Sequence, residues 1–244
     1  MRFTTILSAV AAATSAFAAP TPAELESRAV VNHDSLNPIS TRLQGGRIGR
    51  AIQMFTPLLH IAHGCQPYTA VDDAGNTSGG LQDTGNVSAG CRDGNKGQIY
   101  ARAAWHKGKF AIMYAWYFPK DQPNAGNVAG GHRHDWESVV VWIDNPANDN
   151  PRILGGAASG HGSYKHTNNP NRQGNNVKVE YFTSFPTNHE LQFTNTVGRS
   201  YWISDWDRMP TAAKQALSST TVFGKANVPF RPDNFLSNLD KAFV

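Results

Sequence analysis

Residues 110–118 read Phe-Ala-Ile-Met-Tyr-Ala-Trp-Tyr-Phe, polar only in the tyrosine hydroxyls and the indole nitrogen. Side chains alternate between the faces of a strand. Phe110, Ile112, Tyr114, Trp116 and Phe118 therefore share one face, and Ala111, Met113, Ala115 and Tyr117 the other. A run that is apolar on both faces belongs in the middle of a sheet with a layer packed on each side, and its aromatic stripe is core. The run at 98–105 precedes it through His106-Lys107-Gly108, a hairpin connection. Pro119 is expected to stop the strand and hand Lys120-Asp121 to a loop.

Further strands are predicted at 55–61, 138–143, 152–158, 177–184 and 191–194. Segment 37–50 reads as mobile by composition, and 159–176, with His161 and His166, as a long solvated loop. Short helices are predicted at 211–217, capped by Asp207 or a neighbour, and at 234–242, capped by Asp233. The sum is a β-rich α+β fold, a single domain with a central β-sandwich flanked by short helices.

Residues 1–18 carry Arg2, an apolar stretch and an Ala-Phe-Ala end, the pattern of a secretory signal peptide. Residues 19–30 read as a leader or disordered segment, and 31–244 as the domain. No other run approaches the about 18 apolar residues of a membrane span. The formal charge of +4, or +3 without Arg2, comes with no Lys/Arg run, so nucleic acid is not an expected partner. An even cysteine count in an oxidising compartment predicts one disulfide, Cys65–Cys91. Between them lies a Gly/Asn/Ser/Asp-rich surface loop with two glycosylation sequons, at Asn76 and Asn86.

The densest chemistry is Gly131-His132-Arg133-His134-Asp135-Trp136-Glu137, in a chain that is only 16% charged. On a strand beginning near Arg133, Arg133, Asp135 and Glu137 share one face and His134, Trp136 and Ser138 the other. His132 joins the carboxylates only from a preceding loop, which Gly126, Gly130 and Gly131 favour. Adjacent carboxylates repel unless a cation lies between them. Two readings follow: an internal salt bridge from Arg133 to Asp135 or Glu137 beside two packed histidines, or a divalent ion held by His132, Asp135 and Glu137. Oxygen-rich ligands without a thiolate favour Mg²⁺, Ca²⁺ or Mn²⁺ over Zn²⁺. The ends of two neighbouring strands, at 121 and 132, converge on this cluster.

The heptapeptide and the preceding Ala-Ile-Met-Tyr-Ala-Trp-Tyr-Phe-Pro-Lys-Asp at 111–121 resemble the necrosis- and ethylene-inducing-like proteins of fungi, oomycetes and bacteria, secreted plant cytolysins. So do Gly64-Cys65-Gln66-Pro67-Tyr68, Asn188-His189-Glu190-Leu191-Gln192-Phe193 and Phe223-Gly224-Lys225-Ala226-Asn227-Val228-Pro229-Phe230. The resemblance spans about 31–244 and fits the one-disulfide type 1. It implies a sandwich related in shape to fungal lectins and actinoporins. It also implies a divalent cation, Mg²⁺ or Ca²⁺ first, bound by Asp121 and His132 with Asp135 and Glu137 completing the acidic site. His189 is implied nearby, with Asn188 and Phe185 as headgroup contacts. The implied partner is the headgroup of plant sphingolipids, the glycosylinositol phosphorylceramides, with damage to eudicot plasma membranes. A plant immune receptor is a second implied partner, because 111–121 resembles the peptide perceived in this family. Segment 122–131 is longer here than in many members.

Two alternatives stand beside that reading. One is a glycolipid-binding or immune-pattern protein without toxicity. The other is a metal-dependent polysaccharide hydrolase, disfavoured because no activated nucleophile is evident and Asp135 and Glu137 lie too close on one strand for opposed glycosidase carboxylates. The expectation is a protein that is not an enzyme.

Overall fold

The structure is a computed structural model and describes residues 28–126, 130–183 and 188–244. The expected signal peptide and the leader up to residue 27 lie outside those residues. In chain order the elements are β1 (Val30–Val31), α1 (Gly46–Met54), β2 (Leu58–Ile61), β3 (Thr77–Ser78), β4 (Gln98–His106), β5 (Lys109–Asp121), β6 (His132–Ile143), β7 (Ile153–Gly160), β8 (Ser163–Thr167), β9 (Arg172–Gln173), β10 (Asn176–Thr183), β11 (His189–Phe193), β12 (Trp202–Asp205), α2 (Thr211–Ser218) and α3 (Pro232–Lys241).

One sheet has the order β12-β4-β5-β6-β7-β8, and a second has β11-β10-β2 with β9 beside β10. The strand buried on both faces, β5, lies inside the larger sheet, as its sequence requires; Phe110 through Asp121 are buried without a break. On one face Phe118 stacks on Tyr181 of β10, ring centroids 3.9 Å apart, and Tyr114 donates to Ile52 O of α1 at 2.7 Å. On the other face Tyr117 meets Phe223, and the indole of Trp142 in β6 donates to Ala242 O beyond α3 at 2.7 Å. The expected sandwich is therefore present, with the second sheet as one cover and the C-terminal segment as the other. Close approach of the sheets depends on glycine at one point: a Cβ on Gly156 of β7 would lie 2.8 Å from Phe193 Cζ of β11.

Several local expectations are corrected. Pro119 does not end β5; pairing resumes at Lys120↔Arg133 and Asp121↔His132. Only the Pro119–His134 position is missing from the ladder, which suits a residue without an N–H. Part of the segment read as mobile is α1, which buries Ala51 and Ile52. The expected loop at 159–176 instead holds β8, β9 and the His161-Gly162 turn that joins β7 to β8, with positive φ at both turn residues. His166 bonds Lys241 O at 2.6 Å rather than water alone. Helix α2 has Pro210 at its N-cap, and Arg231 rather than Asp233 precedes α3; Asp205 caps the short 3₁₀ turn before them instead. The end of the expected leader is part of the fold: Val30 pairs with Thr77, and Ala29 N donates to Asn76 Oδ1 at 3.0 Å.

At the first sequon Asn76 is half-buried. Its amide nitrogen donates to Asp72 at 2.8 Å, and Thr77 and Ser78 are buried in β3. The Asn86 sequon occupies an exposed turn, with Ser88 N donating to Asn86 Oδ1 at 3.2 Å. The Cys65–Cys91 disulfide forms as expected, and both residues are buried. Replacing both cysteines by alanine should lower unfolding free energy by about 3 kcal/mol through the freed loop entropy of the denatured chain, measured by urea denaturation. A loss near zero would mean that the reduced chain already holds this loop.

Candidate functional site

Asp121 ends β5, His132 opens β6, and the two are partners in the ladder. The 122–131 segment is thus flanked by paired residues, and the pairing fixes Asp121 relative to His132. Lys120 clamps the base of that segment. Its ammonium is buried and donates to Thr84 O at 3.1 Å, Asn86 O at 2.9 Å and Gln122 Oε1 at 2.8 Å.

The face assignment at the heptapeptide needs correction. His132 lies in the strand, not in a loop, yet it reaches the carboxylate face. His134 has φ +62, and strict alternation fails there. His134 turns to the opposite side, where its Nδ1 lies 2.7 Å from Tyr117 Oη. Burial, first, and the neighbouring Arg133 and His132 push its pKa down to about 4, so it is a neutral packed histidine. Arg133 is exposed and donates to Gly79 O at 2.6 Å. The salt bridge from Arg133 to Asp135 or Glu137 is not formed.

Asp121, His132 and Asp135 come together with one ligand atom each inside 4.8 Å of the others. His132 Nδ1 lies 2.7 Å from His134 O. A carbonyl only accepts, so Nδ1 carries the proton and Nε2 presents its lone pair. That Nε2 is 3.8 Å from Asp121 Oδ2 and accepts from Asn188 Nδ2 at 2.9 Å. Asp121 is fully buried. It accepts from His189 N at 3.1 Å and pairs with His189 Nδ1 at 2.5 Å, while His189 Nε2 lies 3.0 Å from Thr183 Oγ1. His189 therefore orients Asp121 and is itself stacked on Tyr181, centroids 4.5 Å apart. Gly64 makes room for this ring: it has φ +77, and a Cβ there would lie 2.5 Å from His189 Nε2.

Asp135 accepts from Tyr181 Oη at 2.9 Å. Glu137 accepts from Ser159 Oγ, which also receives Ser138 N at 2.8 Å. Glu137 stands one strand step behind the three-residue group rather than in it. Phe185 lies outside the described residues. Tyr181 and Ser159 escaped sequence reading as site residues. Tyr181 falls in the strand predicted at 177–184, but nothing in that strand marked a hydroxyl aimed at Asp135.

Three carboxylates are thus buried together, and no Lys or Arg pairs with any of them among the described residues. Burial, then the charge of Asp121, pushes the Asp135 carboxyl up to about 7. Burial and Asp135 together raise Glu137 well above the carboxylate range. Buried like charges of this kind are stable only when neutralised by protons or by a cation. Oxygen donors with one imidazole are the set a hard divalent ion accepts. The residues fit such an ion, and its holders would be Asp121, His132 and Asp135, with Glu137 behind them. A cavity of ≈ 330 Å³ opens over His132, Asp135 and Glu137 and continues past Trp136 to Lys225 and Asn238.

The sequence profile of the necrosis inducing protein (NPP1) family matches residues 49–242. The chain belongs to that family. It is 45% identical over 219 residues to NLP effector protein 10 of Phytophthora capsici, covering 88% of this chain and 92% of the relative. Among solved structures, NLPPya in complex with mannosamine superposes with TM-score 0.82 at 44% identity, over 88% of this chain and all of that one. The non-toxic HaNLP3 protein does so with TM-score 0.82 at 41% identity, over 86% and 98%. This necrosis-inducing family member therefore has the fold of the family's solved structures, with its acidic group at the cavity.

The electrostatics set a pH signature. The folded Asp135 holds its proton to higher pH than the unfolded residue does, so the cation-free protein loses stability as pH rises from about 4 through about 7. A cation binds the ionised form and opposes that loss. Melting temperature in chelator should fall between pH about 5 and about 8, and added Ca²⁺ or Mg²⁺ should raise it more at the upper end. An equal cation shift at both pH values would contradict the assignment.

Proposed function

We propose that this protein is a secreted cytolysin that docks on the sugar headgroup of plant sphingolipids through a divalent cation and damages the plasma membrane without catalysing a reaction. The observation that carries the reading is the buried, uncompensated carboxylate group at the floor of a cavity open to solvent. A bound cation would supply positive charge and free coordination positions for sugar hydroxyl oxygens. His132 and Asp121 are pre-set for it by their partners, His134 O and His189. Asp135 is held by Tyr181 and Glu137 by Ser159, so little side-chain ordering is left to binding. Asn188, whose amide donates to His132 Nε2 at 2.9 Å, would give that lone pair up to the ion, which would free its N–H for a neighbouring sugar hydroxyl. The aminosugar complex of NLPPya supports saccharide recognition in this fold. The expected export by a signal peptide and the disulfide, which suits an oxidising compartment, support an extracellular site of action.

Hydrolysis is the weaker reading. Asp135 and Glu137 lie on one strand face, both raised by the same burial, and among the described residues that line the cavity they are the carboxylates present, so neither has an opposed partner of the glycosidase kind. The similarity to the non-toxic HaNLP3 protein keeps binding without membrane damage as a defined outcome.

Dye release from vesicles containing glycosylinositol phosphorylceramide tests the reading. Wild type should release dye only with that lipid and with Ca²⁺ or Mg²⁺. Asp135→Asn and Glu137→Gln should lower release by at least about tenfold while melting no lower than wild type in chelator, because each replaces a carboxyl whose ionised form burial disfavours with a neutral amide of the same shape. Binding to the vesicles without release identifies the non-toxic form. Absence of both binding and release by folded protein refutes the proposal.

A further inference from the structure

Among the described residues, Ala29 is the first whose backbone is held on both sides. Its N–H donates to Asn76 Oδ1 at 3.0 Å, and its carbonyl accepts from Thr77 N at 2.9 Å. Val30 and Val31 then pair with Thr77 and Ser78. Arg28, immediately before, touches the domain through its side chain, whose guanidinium donates to Gln215 Oε1 of α2 at the surface. Arg28, Ala29 and Val30 are all exposed, so residues on both sides of the Arg28–Ala29 peptide bond face solvent. The strand that follows is two residues long and frays at little cost.

The charge pattern of the sequence singles out the same bond. Between Arg2 and Arg42, Arg28 is the only Lys or Arg. Arg42 is tied into the fold: its N–H donates to Ile203 O at 2.9 Å, and its guanidinium grips Asp73 at 2.8 and 3.0 Å. The expected leader before Arg28 reads Ala-Pro-Thr-Pro-Ala-Glu-Leu-Glu-Ser, in which Leu25 is the one large apolar residue. Such a composition has little to bury in a core.

The acceptor that Ala29 meets is fixed from behind. Asp72 holds Asn76 twice, by its backbone N and by its amide Nδ2, both at 2.8 Å. The amide oxygen is thereby left for Ala29, with a carboxylate at the other end of the same amide. Gly75 permits the close approach of this loop. It has φ +86, and a Cβ there would lie 2.8 Å from Ala212 O and 3.2 Å from Arg28 Cδ.

We propose that Arg28–Ala29 is a maturation site, hydrolysed during export by an arginine-directed endoprotease. Water adds across the amide. Arg28 departs with residues 19–28 and carries the new carboxylate, and the nitrogen of Ala29 takes up a proton as the new N-terminus. That nitrogen already stands on its acceptor, and its bond to Asn76 Oδ1 becomes charge-assisted. Maturation at this bond requires export but neither the cation site nor the lipid.

The chain with its own leader, secreted by a eukaryotic host, tests this by intact mass and N-terminal sequencing. Wild type should begin at Ala29, and Arg28→Gln, a surface change, at Ala19. Purified chain 19–244 at a low ratio of trypsin should be cut first at the same bond. Wild type that begins at Ala19, a first tryptic cut elsewhere, or Arg28→Gln that still begins at Ala29 overturns the site. The docked terminus has its own readout. At pH 6 the form beginning at Ala29 should melt about 1–3 °C above Arg28→Gln. The difference should vanish above pH about 9, once the α-amine, of ordinary pKa about 7.7–8.0, has lost its proton. Asp72, Asp73 and Arg42 are common to both forms, so the difference reports the amine. Equal melting at pH 6 overturns the charged contact with Asn76 and leaves the cleavage standing.

Discussion

The site depends on a cost: three carboxylates, Asp121, Asp135 and Glu137, removed from water within one layer of a sandwich, with no guanidinium or ammonium beside them. Hydrophobic burial around them holds the arrangement in place. Phe118, Tyr181 and His189 form a continuous stack from β5 through β10 to β11, and that stack is both the seal between the sheets and the wall of the site. A group so placed must be neutralised, and the means available are protons or a metal ion. Proton uptake leaves an inert acidic pocket. Cation uptake turns the same pocket into a receptor for oxygen ligands.

The fold serves that arrangement by bringing strand ends together. β5 is long and apolar on both faces, so it must be central, and its neighbour β6 must start where β5 stops. The register pairs Asp121 with His132 directly. Pro119 and His134 face each other at the one position where the ladder lapses, and the left-handed turn of His134 moves His132 to the side of Asp135. A proline in a central strand, tolerated at a gap in the ladder, thus coincides with the geometry that assembles the site.

Much of this was legible in residues. The two-faced run at 110–118 called for a central strand, the cysteine pair called for one bridge, and the charge density at 131–137 marked the site within a chain poor in charge. What could not be read were departures from regular rules. Alternation assigned His132 to the wrong face because a positive φ at a histidine leaves no trace in composition. Arg133 seemed the natural counter-ion for its neighbours, but only the tertiary fold shows Gly79 O taking it. The polar strand β8 looked like part of a loop because an edge strand facing water needs no apolar pattern. Ser159 and Gly64 act through contacts distant in sequence, to which no local signal points.

The central claim is that the buried carboxylate group exists to hold a divalent ion, and the most direct measurement is anomalous diffraction from crystals grown with Mn²⁺ near neutral pH. The account predicts one strong peak in contact with His132 Nε2 and carboxylate oxygens of Asp121 and Asp135, absent from crystals of Asp135→Asn. Ordered Asp121, His132 and Asp135 side chains with no peak between them, or a peak only at surface carboxylates, would contradict it and leave the cluster as a protonated, structural element of the core.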